Sequence, residues 1–207
     1  MEEAVHAVIF DVDGTLLDSS SQDEQLYKVA VEDVLGRVSF RAGLNDYEHV
    51  TDSGILLQVL ADNRVAPDEE IIEAIKNRFF ELLDEYIERT GPFREMPGAQ
   101  SILRRLGASR THGVAIATGS WRTSAEVKLR TAGFDPATLL LATSDDASTR
   151  EAIMERALQL IGRACDTVTY YGDGIWDQRA CASLGWQFRP VGSALGGLLS
   201  YDDEFLC

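Results

Sequence analysis

Cysteine is scarce in this chain of 207 residues: Cys165, Cys181 and Cys207 are scattered, odd in number and free of any CxxC spacing. That excludes a disulfide framework and a thiolate zinc site, and it suits packing residues in a reduced compartment. Long apolar runs are missing too; none approaches the roughly 20 residues that span a bilayer. The opening "MEEAVHAVIF" carries acids where a secretory signal wants basic residues. The expectation is a soluble, cytoplasmic protein with no membrane partner. Positive charge is short as well, with 19 Lys and Arg against 34 Asp and Glu and a net charge of −15. Such a balance disfavours nonspecific binding to nucleic acid or to an anionic membrane, though it leaves room for a local basic pocket. Prolines number only five, and no internal repeat or low-complexity segment is present.

What is there is a hydrophobic fraction of 45%, enough for one good-sized core or for a core carrying a smaller insert. From residue 98 onward, β-rich runs alternate with helical patterns, the signature of βαβ units and a parallel sheet. "GVAIATGS", "ATLLLAT", "TVTYYGDG" and "WQFRPVG" read as strands, and "HAVIFD" near the N-terminus makes a fifth. The helices between them stop at Gly133, Gly162 and Gly185. Between the first strand and residue 97 the pattern is helical only. Ile72, Ile75, Phe79, Leu82, Leu83 and Tyr86 share one face of a long helix, and Leu26, Val29, Ala30 and Val34 share a face of an earlier one. Pro92 and Pro97 bracket the return to the alternating region.

Four small constellations carry chemistry. Asp11-Val12-Asp13-Gly14-Thr15 follows an apolar strand directly. Ligands of parallel sheets sit beyond the strand C-termini, so both carboxylates emerge where chemistry is done, although Asp-x-Asp-Gly alone would also suit a solvated turn or a calcium-loop fragment. Thr118-Gly119-Ser120 ends a second strand just before a helix. Hydroxyls and amides there suit a phosphate oxygen, and they would equally suit an ordinary N-cap. Arg150 opens a helix after the acidic "SDDAS" loop; it could screen a phosphate or simply lie in solvent. In "YYGDGIWD", Asp173 ends a strand and Asp177 lies in the first turn of the next helix. Carboxylates on neighbouring strands suit a hard cation such as Mg²⁺, while an acid at a helix start also answers the helix dipole.

Taken together, "VIFDVDGTLLDS", "VAIATGS", Arg150 and "GDGIWD" resemble the four motifs of the haloacid dehalogenase superfamily of phosphohydrolases, phosphoglycolate phosphatase-like in having a helical insert after the first motif. The resemblance implies an α/β fold: a Rossmann-like three-layer α/β/α core with a parallel five-stranded sheet in the order 5-4-1-2-3, plus an α-helical cap domain. Residues 1–18 and 96–207 would form the core and residues 19–95 the cap. It implies an Mg²⁺-dependent phosphatase that works through a phospho-aspartate on a small phosphorylated metabolite, as a monomer or homodimer. Asp11 is then the nucleophile and Asp13 the general acid and base. Mg²⁺ would be held by Asp11, the main-chain carbonyl of Asp13 and Asp173, with Asp177 in support. Thr118, Gly119 and Arg150 would bind phosphate. The family's third motif is most often lysine; Arg150 stands there, and Lys128 falls too early in the chain.

An acid such as Asp13 argues against dehalogenation, because a halide leaves without a proton. Phosphonate cleavage would need a cap lysine, and Lys28 and Lys76 sit mid-helix in patterns that look solvated. A β-phosphoglucomutase-like sugar phosphomutase using the same aspartates remains the enzymatic alternative, and a catalytically silent binding module is the alternative of another class. Substrate choice falls to the polar break "YEHVTDSGI", where Thr51, Asp52 and Ser53 could face the phosphate site; Asp52 or Ser53 could equally only cap the helix that follows, and His49 reads as structural or exposed. Trp121, Trp176 and Trp186 read as packing residues, the first two close enough to the motifs to line the rim of the site.

Overall fold

The structure is a computed structural model that describes residues 4–202, so Cys207 lies outside the described residues. Strand β1 (His6–Phe10) runs into a tight turn and a two-residue strand β2 (Leu17–Asp18). Helices α1 (Ser20–Leu35), α2 (Asp52–Asp62) and α3 (Glu69–Thr90) follow, and the chain returns through β3 (Arg94–Glu95). The remainder alternates: α4 (Ala99–Gly107), β4 (His112–Ala117), α5 (Arg122–Thr131), β5 (Leu141–Ala142), α6 (Arg150–Leu160), β6 (Thr167–Gly172), α7 (Ile175–Leu184) and β7 (Gln187–Pro190).

Five parallel strands form one sheet in the order β5-β4-β1-β6-β7. That notation differs from 5-4-1-2-3 because β2 and β3 take numbers of their own while pairing only with each other; the five sheet strands counted alone run 5-4-1-2-3. Residues of β1 alternate between the two faces, as a strand buried on both sides must. Val8 and Phe10 pack with Ile102, Leu106 and Leu129 of α4 and α5. Ile9 packs with Ile153, Met154 and Cys181 of α6 and α7. These are the three layers. Register sets the site: Phe10 lies opposite both Ile116 and Tyr171, so Asp11, Thr118 and Asp173 all emerge at the same end of the sheet.

The expected strand "ATLLLAT" shrinks to Leu141–Ala142. Asp135 caps a short 3₁₀ turn over Pro136–Thr138, its side chain accepting from the Ala137 amide, and this turn takes Ala137 and Thr138 out of the run. Only Ile116 and Ala117 are then left to pair with β5 at this edge of the sheet.

Helices α1, α2 and α3 enclose a second apolar cluster that includes Tyr27, Val31, Leu56, Leu60, Ile75 and Phe79. Along α3 the inward residues are Ile75, Phe79 and Leu83, with Tyr86 stacked on Phe93. On α1 the expected face holds at Ala30, and at Leu26 and Val34 packed against the cluster, but needs correction at Val29. Val29 is 42% exposed, and the inward residues are Asp23, Tyr27, Ala30 and Val31. The helix can turn two polar groups inward because both find partners: the Tyr27 hydroxyl donates to the Asp52 carbonyl at 2.8 Å, and Asp23 accepts from Lys128. Trp121, just ahead of α5, inserts into this cluster between Tyr27 and Phe79.

Phe79 is fully buried in edge contact with both Tyr27 and Trp121. Phe79→Ala should therefore lower stability by about 3–5 kcal/mol, while Val29→Ala, at an exposed position, should stay within about 0.5 kcal/mol of the parent. Urea unfolding of the two variants checks both; equal midpoints would contradict the burial pattern.

Candidate active site

The turn after β1 is built around the Val12 carbonyl, which accepts from the amides of Thr15, Leu16 and Leu17. Gly14 sits at φ +74°, and a Cβ there would lie 1.9 Å from Asp173 Oδ2. The turn therefore needs glycine twice over, for its backbone angle and for the close approach of Asp173. Asp11 and Asp13 leave this turn in different directions. Asp11, held by an amide hydrogen bond to the Tyr171 carbonyl at 2.9 Å, faces Arg150, Asp173 and Asp177. Asp13 faces Ser120 and Lys128.

Arg150 is 7% exposed, so it is no solvated surface residue. Its Nη1 donates to Asp11 Oδ1 at 3.4 Å and its Nη2 to the Val50 carbonyl at 3.1 Å. Its Nε forms an ion pair with Asp177 Oδ1 at 3.3 Å, although neither of those two atoms finds a hydrogen-bond partner among the described residues. A cation in the first turn of α6 opposes the helix dipole. The carboxylates of Asp11 and Asp177 offset that.

Carboxylate oxygens of Asp11, Asp173 and Asp177 lie within 4.8 Å of one another. Holding three acids this close is costly, and their proton affinities record it. Burial, and after it the charges of Asp177 and Asp13, push Asp11 up to about 7 despite Arg150. Burial and the Asp11 and Asp13 charges push Asp173 up to about 7, and burial raises Asp177 to about 6 against the pull of Arg150. An all-oxygen donor set of like charges fits a hard divalent cation. Asp177, expected in a supporting place, stands inside this cluster; the Asp13 side chain does not. The Asp177 side chain also accepts from the Gly174 amide, so it serves the helix start as well.

Thr118 and Ser120 do not cap α5. The N-cap is Trp121, whose amide is taken by Asp52 Oδ2 at 2.8 Å, and the Arg122 amide is taken by Asp145. The Ser120 hydroxyl instead donates to Asp13 Oδ2 at 2.7 Å, and Thr118 Oγ1 accepts from the Ser120 amide. Gly119 leaves room for Arg150, whose Nη2 would lie 3.0 Å from a Cβ at that position.

Residues 50–53 lie across this loop. The cap of α2 is Thr51, not Asp52 or Ser53: Thr51 Oγ1 accepts from the Gly54 amide and donates to the Ser148 carbonyl. The Asp52 amide donates to the Gly119 carbonyl at 2.7 Å. Ser53 donates to the Ser144 carbonyl and accepts from the Trp121 indole N–H. Thr51 and Asp52 line a cavity of about 360 Å³ that also reaches Asp11, Asp13, Thr118, Gly119, Arg150 and Asp173, whereas Ser53 and His49 are not on its wall. Tyr27, Phe40, Leu44, Tyr47 and Trp176 line the cavity as well, beside the charged Asp23, Glu24, Lys28 and Arg41. Trp176 thus lines the site, while Trp121 is buried behind it. Neither cap lysine matches the solvated expectation fully. Lys28 reaches the cavity while paired with Glu24, and Lys76, its side chain only 17% exposed, pairs with Asp145 and Glu73.

Lys128 is the residue that sequence reasoning set aside. It is fully buried, and its Nζ donates to both oxygens of Asp13, at 2.7 and 2.8 Å, and to Asp23 Oδ1 at 2.5 Å. Burial acts against its charge, yet the two aspartates raise its pKa above the ordinary lysine value. Burial alone would raise Asp13; the Lys128 charge and hydrogen bonds from Lys128, Ser19 and Ser120 outweigh it and hold Asp13 below the ordinary carboxylate value. The signal was present in the pattern. Ala125, Lys128, Leu129 and Ala132 follow the spacing of a buried helical stripe, with the lysine in its middle.

Among solved structures, a hydrolase from Pseudomonas syringae superposes with a TM-score of 0.70 at 23% identity, over 89% of this chain and 83% of the other. CbbY from Rhodobacter sphaeroides, in complex with phosphate, gives 0.67 at 20% identity over 97% and 90%. A predicted phosphoglycolate phosphatase from Haemophilus somnus gives 0.59 at 18% over 92% and 86%. These likenesses establish the fold. A search of curated proteins by sequence gives no significant match. Residues 5–185 match the haloacid dehalogenase-like hydrolase family, a span that contains every motif described above, and the chain belongs to that family of hydrolases.

Proposed function

We propose that the protein is a Mg²⁺-dependent phosphatase that hydrolyses a small phosphomonoester through a phospho-aspartate. The observation that carries this reading is the convergence of Asp11, Arg150, Thr118 and Asp173 at the end of one cavity, with Asp13 on the opposite side of the turn from the acid cluster. Asp11 Oδ attacks phosphorus in line, and the bond to the leaving oxygen breaks. Asp13 delivers a proton to that oxygen, then takes one from the water that cleaves the acyl phosphate, releasing inorganic phosphate and regenerating Asp11. Lys128, Ser19 and Ser120 hold Asp13 below the ordinary carboxylate value, favouring the form that takes a proton from water in the second half of the cycle; the proton it delivers in the first half is taken up from solvent as the phosphomonoester binds. Arg150 and the Thr118–Gly119 segment orient the phosphate oxygens. Asp11, Asp173 and Asp177, with the Asp13 carbonyl, would hold Mg²⁺, which when bound neutralises charge between the nucleophile and the phosphate dianion.

The substrate side of the reading rests on the cavity. At about 360 Å³ it suits a small metabolite, and Thr51 and Asp52 stand where a leaving group would meet the helical segment. We take residues 19–95 as a cap over residues 1–18 and 96–207, because the chain leaves and returns at paired strands β2 and β3.

A panel of glycolate, glycerol and hexose phosphates with Mg²⁺ tests the activity. Asp11→Asn should reduce phosphate release by at least about 10³-fold; equal release by parent and variant would overturn the nucleophile assignment. Hexose 1-phosphate should yield free phosphate. Isomerised sugar phosphate without free phosphate would establish a mutase instead.

A second expectation concerns pH. Asp11 and Asp173 are raised to about 7, so both carry protons at pH 6 and lose them by pH 8. A cation must displace those protons, so Mg²⁺ affinity should rise with pH across that interval, with protons released on binding. Calorimetric titration at the two pH values reads this directly, and a pH-independent affinity would contradict it.

A further inference from the structure

We propose that Lys128 is a positioning residue for Asp13, fixing its carboxyl on the leaving-group side and tying it to helix α1 through Asp23. The inference rests on the phosphatase reading and assigns a part that the four family motifs leave open. Asp13 accepts four hydrogen bonds, from Ser19 and Lys128 on Oδ1 and from Ser120 and Lys128 on Oδ2. Lys128 is the one donor that grips both oxygens, so it sets the plane of the carboxyl as well as its place. It approaches from α5 with its whole side chain buried, outside the cavity wall, so it does not meet substrate. Its remaining contacts are the Ser120 hydroxyl at 3.2 Å and Asp23, which belongs to the helical segment. Asp23 lines the cavity. One ammonium therefore joins the catalytic turn, the loop after β4 and helix α1.

A buried lysine shared by two carboxylates could instead be only a structural tie, since removing one partner from such a group is strongly destabilising. The two roles differ in which substrate suffers. An alkyl alkoxide needs a proton on departure, whereas p-nitrophenolate leaves without one. A residue that positions the acid therefore matters for departure of the first and little for departure of the second, and kcat/KM isolates that step from the later hydrolysis of the phospho-aspartate, which is common to both. The test compares p-nitrophenyl phosphate with whichever alkyl phosphate of the panel is hydrolysed fastest, using Lys128→Met, Asp23→Asn, Asp13→Asn and Asp11→Asn.

Lys128→Met should lower kcat/KM for the alkyl ester by about 10- to 100-fold and for the aryl ester by less than about threefold, following Asp13→Asn in pattern. Asp23→Asn keeps an acceptor oxygen and should fold even if Lys128→Met does not; it should lower the alkyl kcat/KM about three- to tenfold and spare that of the aryl ester. An alkyl-to-aryl ratio that stays at the parent value, or rises, in the folded variants overturns the positioning role. Activity surviving in Asp11→Asn would instead locate the failure in the phosphatase reading itself.

Discussion

The structure depends on the placement of negative charge at one end of a buried sheet. Asp11, Asp13, Asp23, Asp173 and Asp177 crowd the mouth of the central strands, and two buried cations divide them. Arg150 serves Asp11 and Asp177 on one side of the turn after β1; Lys128 serves Asp13 and Asp23 on the other. Desolvating so many ions is tolerable only because each finds a partner of opposite sign or a hydrogen-bond donor. The result is two chemically identical aspartates, two positions apart, pushed in opposite directions. Burial, with the charges of Asp177 and Asp13 behind it, raises Asp11 despite Arg150, whereas the Lys128 ammonium and its hydrogen bonds lower Asp13 against its own burial.

Much of this was legible in the sequence where a local rule sufficed. Alternation of strands and helices gave the sheet, because period and turn residues are local signals. The glycine in Asp11-Val12-Asp13-Gly14 is required by a positive φ and by a carboxylate pressing on the backbone. Arg150 was identified by its place in the order of motifs, and its burial removes the surface alternative.

What escaped the sequence was set by contacts between distant segments. Helix α1 faces inward through Asp23 and Tyr27 instead of Val29, because partners more than twenty residues away satisfy the polar groups. Lys128 falls too early for the third motif, yet its helical phase places it among the buried Ala125 and Leu129. A lysine on an apolar stripe is a stronger sign than its distance from a signature. Thr51, Asp52 and Ser53 belong to the same class: the capping alternative falls on the wrong residues, because Thr51 is the cap, while Asp52 and Ser53 bind the loop after β4, and only Thr51 and Asp52 line the cavity.

The small β2–β3 pairing has a consequence of its own. Leu17 opposes Glu95 and Asp18 opposes Arg94, so the chain quits and rejoins the sheet region at adjacent points, across a junction two residues wide. Such a junction makes few demands on what lies between its ends. The helices from Ser20 to Thr90 can lengthen, shorten or be exchanged for another element whose termini meet at the same separation, and the sheet would register no change in its own connectivity. Any replacement would keep the junction but would have to supply afresh the acceptors that Lys128, Trp121 and Arg150 now find at Asp23, Asp52 and Val50.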